Sequence, residues 1–168
     1  MYIKREILFN EGGQKIPRFQ SEGNASQFSI PFAKKFCKGI GYDIGYSKLE
    51  WKFPGAIGID LDCLDDDYHA DNLPDAKVDY IYSSHCLEHV PHWINTIEFW
   101  ISKIKNKGIL FLYLPDFSQK YWRPWNNRKH NHCFTPEIFK GFCESKQFEN
   151  FFVSGVDLNN SFYVVIEV

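Results

Sequence analysis

The 168-residue sequence is poor in arginine and has no excess of positive charge. Only four of its 19 basic residues are arginines, and its formal net charge is −2. Nucleic-acid-binding proteins concentrate positive charge against the phosphates, so this balance argues against nucleic acid as the main partner. We therefore expect no nucleic-acid partner.

Long apolar runs, repeats and low-complexity tracts are also missing. No stretch reaches the about 18 consecutive apolar residues of a membrane-spanning helix, and the N-terminal charges have no apolar run behind them. We therefore expect neither a membrane span nor an export signal. The length is typical of one domain, which we place at residues 1–168 with residues 1–36 as an N-terminal arm.

The cysteines are odd in number and form no CxxC pair. This pattern excludes a recognisable disulfide framework and a four-cysteine zinc site, and it favours a reducing, cytoplasmic location. The sequence indicates no particular oligomeric state. The five cysteines are Cys37, Cys63, Cys86, Cys133 and Cys143.

Apolar runs of strand length recur along the chain, in the form typical of buried parallel strands. Pro91 opens a stretch of helical periodicity that extends to Ile104, and Thr135 and Pro136 predict the cap and first turn of a helix ending near Ser145. This alternation predicts an α/β fold on a mainly parallel sheet. The predicted strands are residues 38–43, 56–60, 78–82, 108–114, 151–156 and 162–168.

The N-terminal arm is less regular. Residues 2–9 and the KIPRFQ stretch that follows Gly12 and Gly13 predict a hairpin or an extended arm. Asn24 is predicted to cap a helix that Pro31 breaks or kinks.

Polar residues follow the predicted strands at the edge where ligands of parallel sheets bind. A glycine after the first strand, at Gly45, allows close approach of a ligand, and an acid after the second, Asp60, can accept hydrogen bonds from both ribose hydroxyls. The alternative is that these residues merely turn and solvate the chain. Gly39, Gly41 and Gly45 do not have the spacing of a dinucleotide-binding motif, and only ten residues separate Gly45 from Ala56 at the start of the next strand. A nucleoside cofactor without a pyrophosphate therefore fits better.

Four stretches match one known family. They all fall within residues 39–140 and are DIGYSKLEWKFPGAIGIDLD, DNLPDAKVDYIYSSHCLEHVPHW, IEFWISKIKNKGILFLYLPD and RPWNNRKHNHCFTPEIF. In these the chain resembles the class I S-adenosylmethionine-dependent methyltransferases, specifically a small group with a shortened first helix often met in surface-polysaccharide biosynthesis. The resemblance implies a Rossmann-like fold of three layers, with a mainly parallel sheet and an antiparallel C-terminal strand.

The resemblance also implies a set of residues that bind S-adenosylmethionine. Asp43 and Gly45 would face the methionine part, Asp60 the ribose, and Asn72 and Leu73 the adenine. The family commonly has a further glycine where this chain has Ser47. The remaining implied cofactor-binding residues are Tyr46, Ser47, Leu61, Ser84 and His85, the last two at the pocket floor.

Methyl transfer needs alignment more than a catalytic group, and a general base only where the acceptor must lose a proton. Candidates for a base are His85, His89, Asp116 and His132, although a structural role is commoner for each. Residues 117–134 are rich in rings and too long for a plain connection, so we expect them to form a wall or lid of the acceptor site. The alternative is that Trp122 and Trp125 only cover an exposed edge of the core.

Two motifs offer metal-binding alternatives. His85 to His89 reads H-x-x-E-H, a zinc-protease signature, but Pro91 argues against the long helix that this signature needs. His130, His132 and Cys133 form a second candidate group. We weigh both and expect no metal site.

The expected function is methylation of an oxygen or nitrogen of a small molecule or saccharide, with S-adenosylmethionine as cofactor; the resemblance connects it with surface polysaccharides. One alternative is a catalytically inactive module that binds a nucleoside or a protein. The zinc metalloprotease is a more remote one.

Overall fold

The computed structural model describes residues 7–9, 15–17, 24–61 and 68–168, the first two ranges by their backbone alone. Strand β1 (Ile7–Phe9) pairs with β2 (Lys15–Pro17) in the antiparallel hairpin predicted for the N-terminal arm. Cys63 and the other residues of 62–67 lie outside the described part.

The remaining strands form one six-stranded sheet in the order β4-β3-β5-β6-β8-β7. Strands β3 to β6 are mutually parallel, whereas β8 is antiparallel to both of its neighbours, as predicted for the C-terminal strand. The chain runs outward from β3 to β4 and then returns to β5 on the other side of β3. The strands are β3 (Gly41–Ile44), β4 (Ile57–Ile59), β5 (Val78–Ser84), β6 (Ile104–Pro115), β7 (Phe151–Val153) and β8 (Ser161–Glu167).

Three α-helices flank the sheet within the described residues: α1 (Ser26–Ala33), α2 (Trp93–Ser102) and α3 (Pro136–Ser145). The α3 prediction is confirmed, because the Thr135 hydroxyl accepts a hydrogen bond from the Ile138 N–H at 3.4 Å. The cap predicted for α1 is wrong: Ala25 is the N-cap residue and makes no side-chain cap, and the helix continues past Pro31. No helix in the described part is long and apolar enough to cross a membrane.

The pleat of the sheet divides the core into two. Along β6, Leu110 and Leu112 face α2 and α3, whereas Phe111 and Tyr113 face α1. Helices therefore cover both faces, which gives the three layers of the predicted fold.

The connection between β3 and β4 contains no α-helix. A single 3₁₀ turn at Leu49–Trp51 takes the place of a full crossover helix. This confirms the shortened first helix that the sequence predicted.

Candidate cofactor and acceptor site

A cavity of about 710 Å³ lies beyond the C-terminal ends of β3, β4 and β5. It opens where the strand order reverses, between β3 and β5, the usual ligand position in open α/β sheets. An adjoining space of about 260 Å³ shares Gly45, Asp60 and His89 with it. Both volumes suit a small organic ligand. The larger space is lined by Ala25, Gly45, Ser47, Asp60, Leu61, Ser84, His85, Cys86, Glu88, His89, Tyr121, Trp122, Asn127, Lys129 and His130.

Gly45 lines this cavity directly after β3. Its φ of +82° lies in the left-handed region, and a Cβ there would lie 2.5 Å from the Cys86 Sγ. From the sequence, close approach of a ligand is one reason for a glycine at position 45. The structure adds two more, because any side chain would strain the backbone and collide with Cys86.

Asp60 follows β4 and is joined to the glycine turn. Its Oδ2 accepts a hydrogen bond from the Ser47 N–H at 2.7 Å. Ser47 adopts a φ of +62°, the backbone conformation that a glycine adopts without strain. The position where the family commonly has glycine therefore keeps a glycine-like backbone in this chain.

Six of the ten predicted cofactor-binding residues line the cavity: Gly45, Ser47, Asp60, Leu61, Ser84 and His85. Four do not. Tyr46 lies over Gly58 on the sheet, and Leu73 is buried in the core. Asn72 is exposed and pairs with His69 through its backbone. Ala70 and Asp71 line the adjoining space instead.

Asp43 is the fourth predicted residue that does not line the cavity, and it is buried beneath the turn that follows β3. Its carboxylate accepts a hydrogen bond from the Phe53 N–H at 2.6 Å. Burial raises the pKa of Asp43 to about 7, although this hydrogen bond and the nearby Lys52 act in the opposite direction. In the described structure Asp43 therefore holds the β3–β4 connection in place and does not face the cavity.

Only two of the four candidate bases line the cavity, His85 and His89. His132 has its Nε2 2.8 Å from the Val90 carbonyl oxygen, and Asp116 accepts a hydrogen bond from the Ser118 N–H. Both of these side chains hold loops. His85 has its Nε2 2.9 Å from the Ser161 hydroxyl, and burial lowers its pKa to about 3, so its ring is neutral.

Glu88 also lines the cavity and was not predicted. Its side chain is fully buried, and neither carboxylate oxygen has a hydrogen-bond partner. Burial raises the Glu88 pKa to about 7, with His89 acting in the opposite direction. The H-x-x-E-H motif contained this residue, but sequence alone does not show that the carboxylate is buried.

Residues 117–134 supply the wall opposite the strand ends, where the sequence predicted a wall or lid. Trp122 stacks on His130 with ring centroids 5.2 Å apart and an interplanar angle of 10°. Trp125 points elsewhere: it is 66% exposed and packs beside Arg123. The members of this segment that line the cavity are Tyr121, Trp122, Asn127, Lys129 and His130.

The zinc-protease alternative does not fit the backbone. That signature places both histidines on one face of an α-helix. Here His85 has a left-handed φ of +51°, and Leu87–His89 form a single 3₁₀ turn.

Comparisons with known proteins agree with the fold. The family model described as a methyltransferase domain matches residues 23–151. No curated protein matches the sequence.

One similar solved structure is an S-adenosylmethionine-dependent methyltransferase from Archaeoglobus fulgidus, with 14% sequence identity and a TM-score of 0.60 over 89% of this chain and 99% of that chain. Another is an S-adenosylmethionine-dependent methyltransferase from Thermotoga maritima, with 13% identity and a TM-score of 0.63 over 89% of this chain and 91% of that chain. A plantazolicin methyltransferase in complex with S-adenosylhomocysteine and a triazolic substrate analogue is also similar (14%, 89% and 88%, 0.60). At these identities the likeness shows the fold.

The Rossmann-like sheet and the match over residues 23–151 define the class of protein. The chain belongs to the methyltransferase domain family. Solved structures that share its fold include S-adenosylmethionine-dependent methyltransferases. The predicted family, fold class and cofactor are thereby confirmed.

Proposed function

We propose that this protein transfers a methyl group from S-adenosylmethionine to an oxygen or nitrogen of a small-molecule or saccharide acceptor. The observation that carries the proposal is the cavity of about 710 Å³ at the strand-order reversal, with Gly45 and Asp60 on one wall and the side chains of residues 117–134 on the other. One side suits a nucleoside cofactor, and the other offers rings and polar groups to an acceptor.

The residues present fit the cofactor. Gly45 presents bare backbone to the cavity, and Asp60 presents a carboxylate there, which can accept hydrogen bonds from ribose hydroxyls. The adjoining space next to Ala70 and Asp71 is where we place the adenine. The bound cofactor supplies a methyl group activated by its sulfonium, so the protein's task is to orient the acceptor and exclude water.

The acceptor side is formed by Tyr121, Trp122 and Lys129. Flat rings pack well against sugars and heterocycles, while Lys129 and Asn127 can donate hydrogen bonds to acceptor oxygens. A role in surface-polysaccharide biosynthesis is the specific form of this proposal. The plantazolicin methyltransferase of similar fold binds a triazolic desmethylPZN analogue, so an acceptor of that kind is the competing form.

We place the protein in the cytoplasm. The four cysteines of the described residues, Cys37, Cys86, Cys133 and Cys143, are free thiols. Free thiols are typical of a reducing compartment, where the cofactor is also available.

Calorimetric titration with S-adenosylhomocysteine tests the cofactor assignment. Asp60→Ala is expected to raise the Kd about 10- to 150-fold, the effect of losing a carboxylate-to-hydroxyl hydrogen bond. Asp60→Asn keeps an acceptor for the Ser47 N–H and separates loop geometry from charge. The control is Asp75→Ala, which removes a fully exposed acid paired with Lys103. An unchanged Kd in Asp60→Ala contradicts the assignment.

Turnover separates the enzyme from the non-catalytic alternative. Incubation with methyl-labelled S-adenosylmethionine and nucleotide-sugar or polysaccharide fractions is expected to yield a labelled acceptor. Binding of the cofactor without any labelled product from saccharide, peptide or small-molecule fractions favours the inactive nucleoside-binding module.

A further inference from the structure

Two motifs that the proposed reaction does not use meet in the structure. Glu88 and His89 come from the H-x-x-E-H motif in the turn after β5, and His130 comes from the separate H-x-H-C group in residues 117–134. The ligand atoms of these three residues all lie within 4.8 Å of one another. All three side chains line the cavity of the candidate site.

The Glu88 carboxylate lacks the partners that a buried charge requires. It is fully buried, and neither oxygen makes a hydrogen bond. Its nearest ionisable neighbours are His89 Nε2 at 3.8 Å and His85 Nδ1 at 4.0 Å. These distances exceed a hydrogen bond, but they are close to the roughly 3.3 Å between two ligands of one tetrahedral zinc ion.

The tautomer of His89 is set by its other nitrogen. Nδ1 lies 2.7 Å from the Lys129 carbonyl oxygen, which can only accept, so Nδ1 carries the hydrogen. In the neutral ring, Nε2 then directs a lone pair toward the Glu88 carboxylate. Two acceptors facing each other need either a proton or a metal ion between them. A backbone carbonyl that orients the ring in this way is typical of metal-binding histidines.

His130 completes the group. Its Nδ1 is buried without a hydrogen-bond partner. Its ring is held by stacking on Trp122 and stands perpendicular to the His89 ring, with centroids 4.6 Å apart.

We propose that Glu88, His89 and His130 bind one divalent transition-metal ion, with Zn²⁺ the best match to two imidazoles and one carboxylate. Three protein ligands leave a coordination position open, and the His89 side chain is 38% exposed toward the cavity. The ion binds an acceptor oxygen there and lowers its pKa. This role rests on the proposed function; the binding of the metal does not.

Methyl transfer to the metal-bound acceptor then needs no general base from the protein. A hydroxyl of the acceptor releases its proton to water on binding the metal. The resulting oxygen forms a bond to the methyl carbon as the carbon–sulfur bond breaks and the electron pair returns to sulfur. The proposal replaces the expectation of no metal site.

Calorimetric titration of the chelator-treated protein with Zn²⁺ alone tests the site. One ion per chain is expected, with a Kd in the micromolar range or tighter, and a higher Tm in its presence. Glu88→Gln and His130→Ala are each expected to weaken binding at least tenfold. Glu88→Gln conserves side-chain size and removes a buried charge, so it is expected to fold.

The control variant is His92→Ala, which removes an exposed histidine outside the cluster and should leave the zinc Kd unchanged. The proposal is overturned if no one-to-one complex forms, or if the parent and Glu88→Gln bind zinc with equal affinity. In that case a proton shared by Glu88 and His89 takes the place of the metal ion. Titration with S-adenosylhomocysteine is a separate measurement, so loss of cofactor binding with zinc binding intact refutes the proposed function alone.

Discussion

The two faces of the sheet are covered by different means. On one face, α2 and α3 pack against aliphatic strand residues, with Trp100 and Ile97 completely buried. On the other, α1 is the one α-helix in the described part, and the core is built largely from rings, among them Phe53, Tyr82 and Phe111.

The difference explains why the smaller core, on the face of α1, is built so largely from rings. A full helix between β3 and β4 normally covers this face, and here a 3₁₀ turn replaces it. Phe53, directly after that turn, packs 4.9 Å from Tyr82 and 5.6 Å from Tyr80 by ring centroids. Large rings bury the area that the missing helix would have buried. The shortened connection also leaves the strand ends open as a cavity.

Truncation of one large ring on each face tests whether the rings of the α1 face stabilise the fold as much as the helix-covered core does. These variants have the largest expected effects. Trp100→Ala and Phe53→Ala are each expected to lower the free energy of unfolding by about 3–5 kcal/mol, measured by urea denaturation. Trp125→Ala, which truncates an exposed ring, is the control and should change it by about 0.5 kcal/mol or less. A cost below about 1 kcal/mol for Phe53→Ala would show that α1 alone supports its face.

A titration of stability sharpens the comparison on the aromatic face. The folded pKa of Asp43, about 7, exceeds its unfolded value of 3.8. The folded state therefore holds this proton more tightly, and the Asp43 contribution to stability falls as the pH rises from about 4 to 7. Relative to the parent, Asp43→Asn should gain stability over this window, by at most about 4 kcal/mol.

Asp79→Asn is the matched contrast for that measurement. Hydrogen bonds from Lys105 and from the Ile40 N–H lower the pKa of Asp79. Its contribution is present above the unfolded pKa and is lost as the pH falls, so this variant should lose stability relative to the parent toward neutral pH. Parallel pH profiles for the two variants would contradict the Asp43 assignment.

The smallest expected effect is at the turn that replaced the helix. Ser47→Gly removes the strain of a left-handed φ, which costs the folded state about 1–2 kcal/mol. The greater conformational freedom of glycine in the unfolded chain opposes this gain in stability by about 0.5–1 kcal/mol. The variant is therefore expected to be more stable by about 1 kcal/mol or less in thermal unfolding. Gly45→Ala should be destabilised, and a stabilised Gly45→Ala would refute the turn geometry.

Sequence patterns predicted the elements whose signals are local. Thr135 and Pro136 gave α3 its observed start, and continuous apolar runs located β3 to β6 in their order. Boundaries failed where pairing decides them. The run predicted at residues 108–114 is part of Ile104–Pro115, because Ile104 pairs with Val78 on β5.

The site was predicted in part for the same reason. Gly45 and Asp60 follow strands directly, so their place at the sheet edge is a consequence of strand direction. Asn72 and Leu73 were predicted to face the adenine, whereas Ala70 and Asp71 line the adjoining space in which we propose that the adenine binds. No periodicity orients side chains in the loop before β5, so packing alone determines which of them face inward.

The sequence by itself determined the class of fold, the short first connection and the family, because these depend on period, spacing and motif order along the chain. Only the tertiary structure decided that Asp43 is buried under Phe53, that Trp125 is exposed, and that the Glu88 carboxylate has no hydrogen-bond partner. The tertiary structure also places His130 beside His89, which lies 41 positions earlier in the chain. Burial and long-range proximity depend on how the layers pack, and no local pattern encodes them.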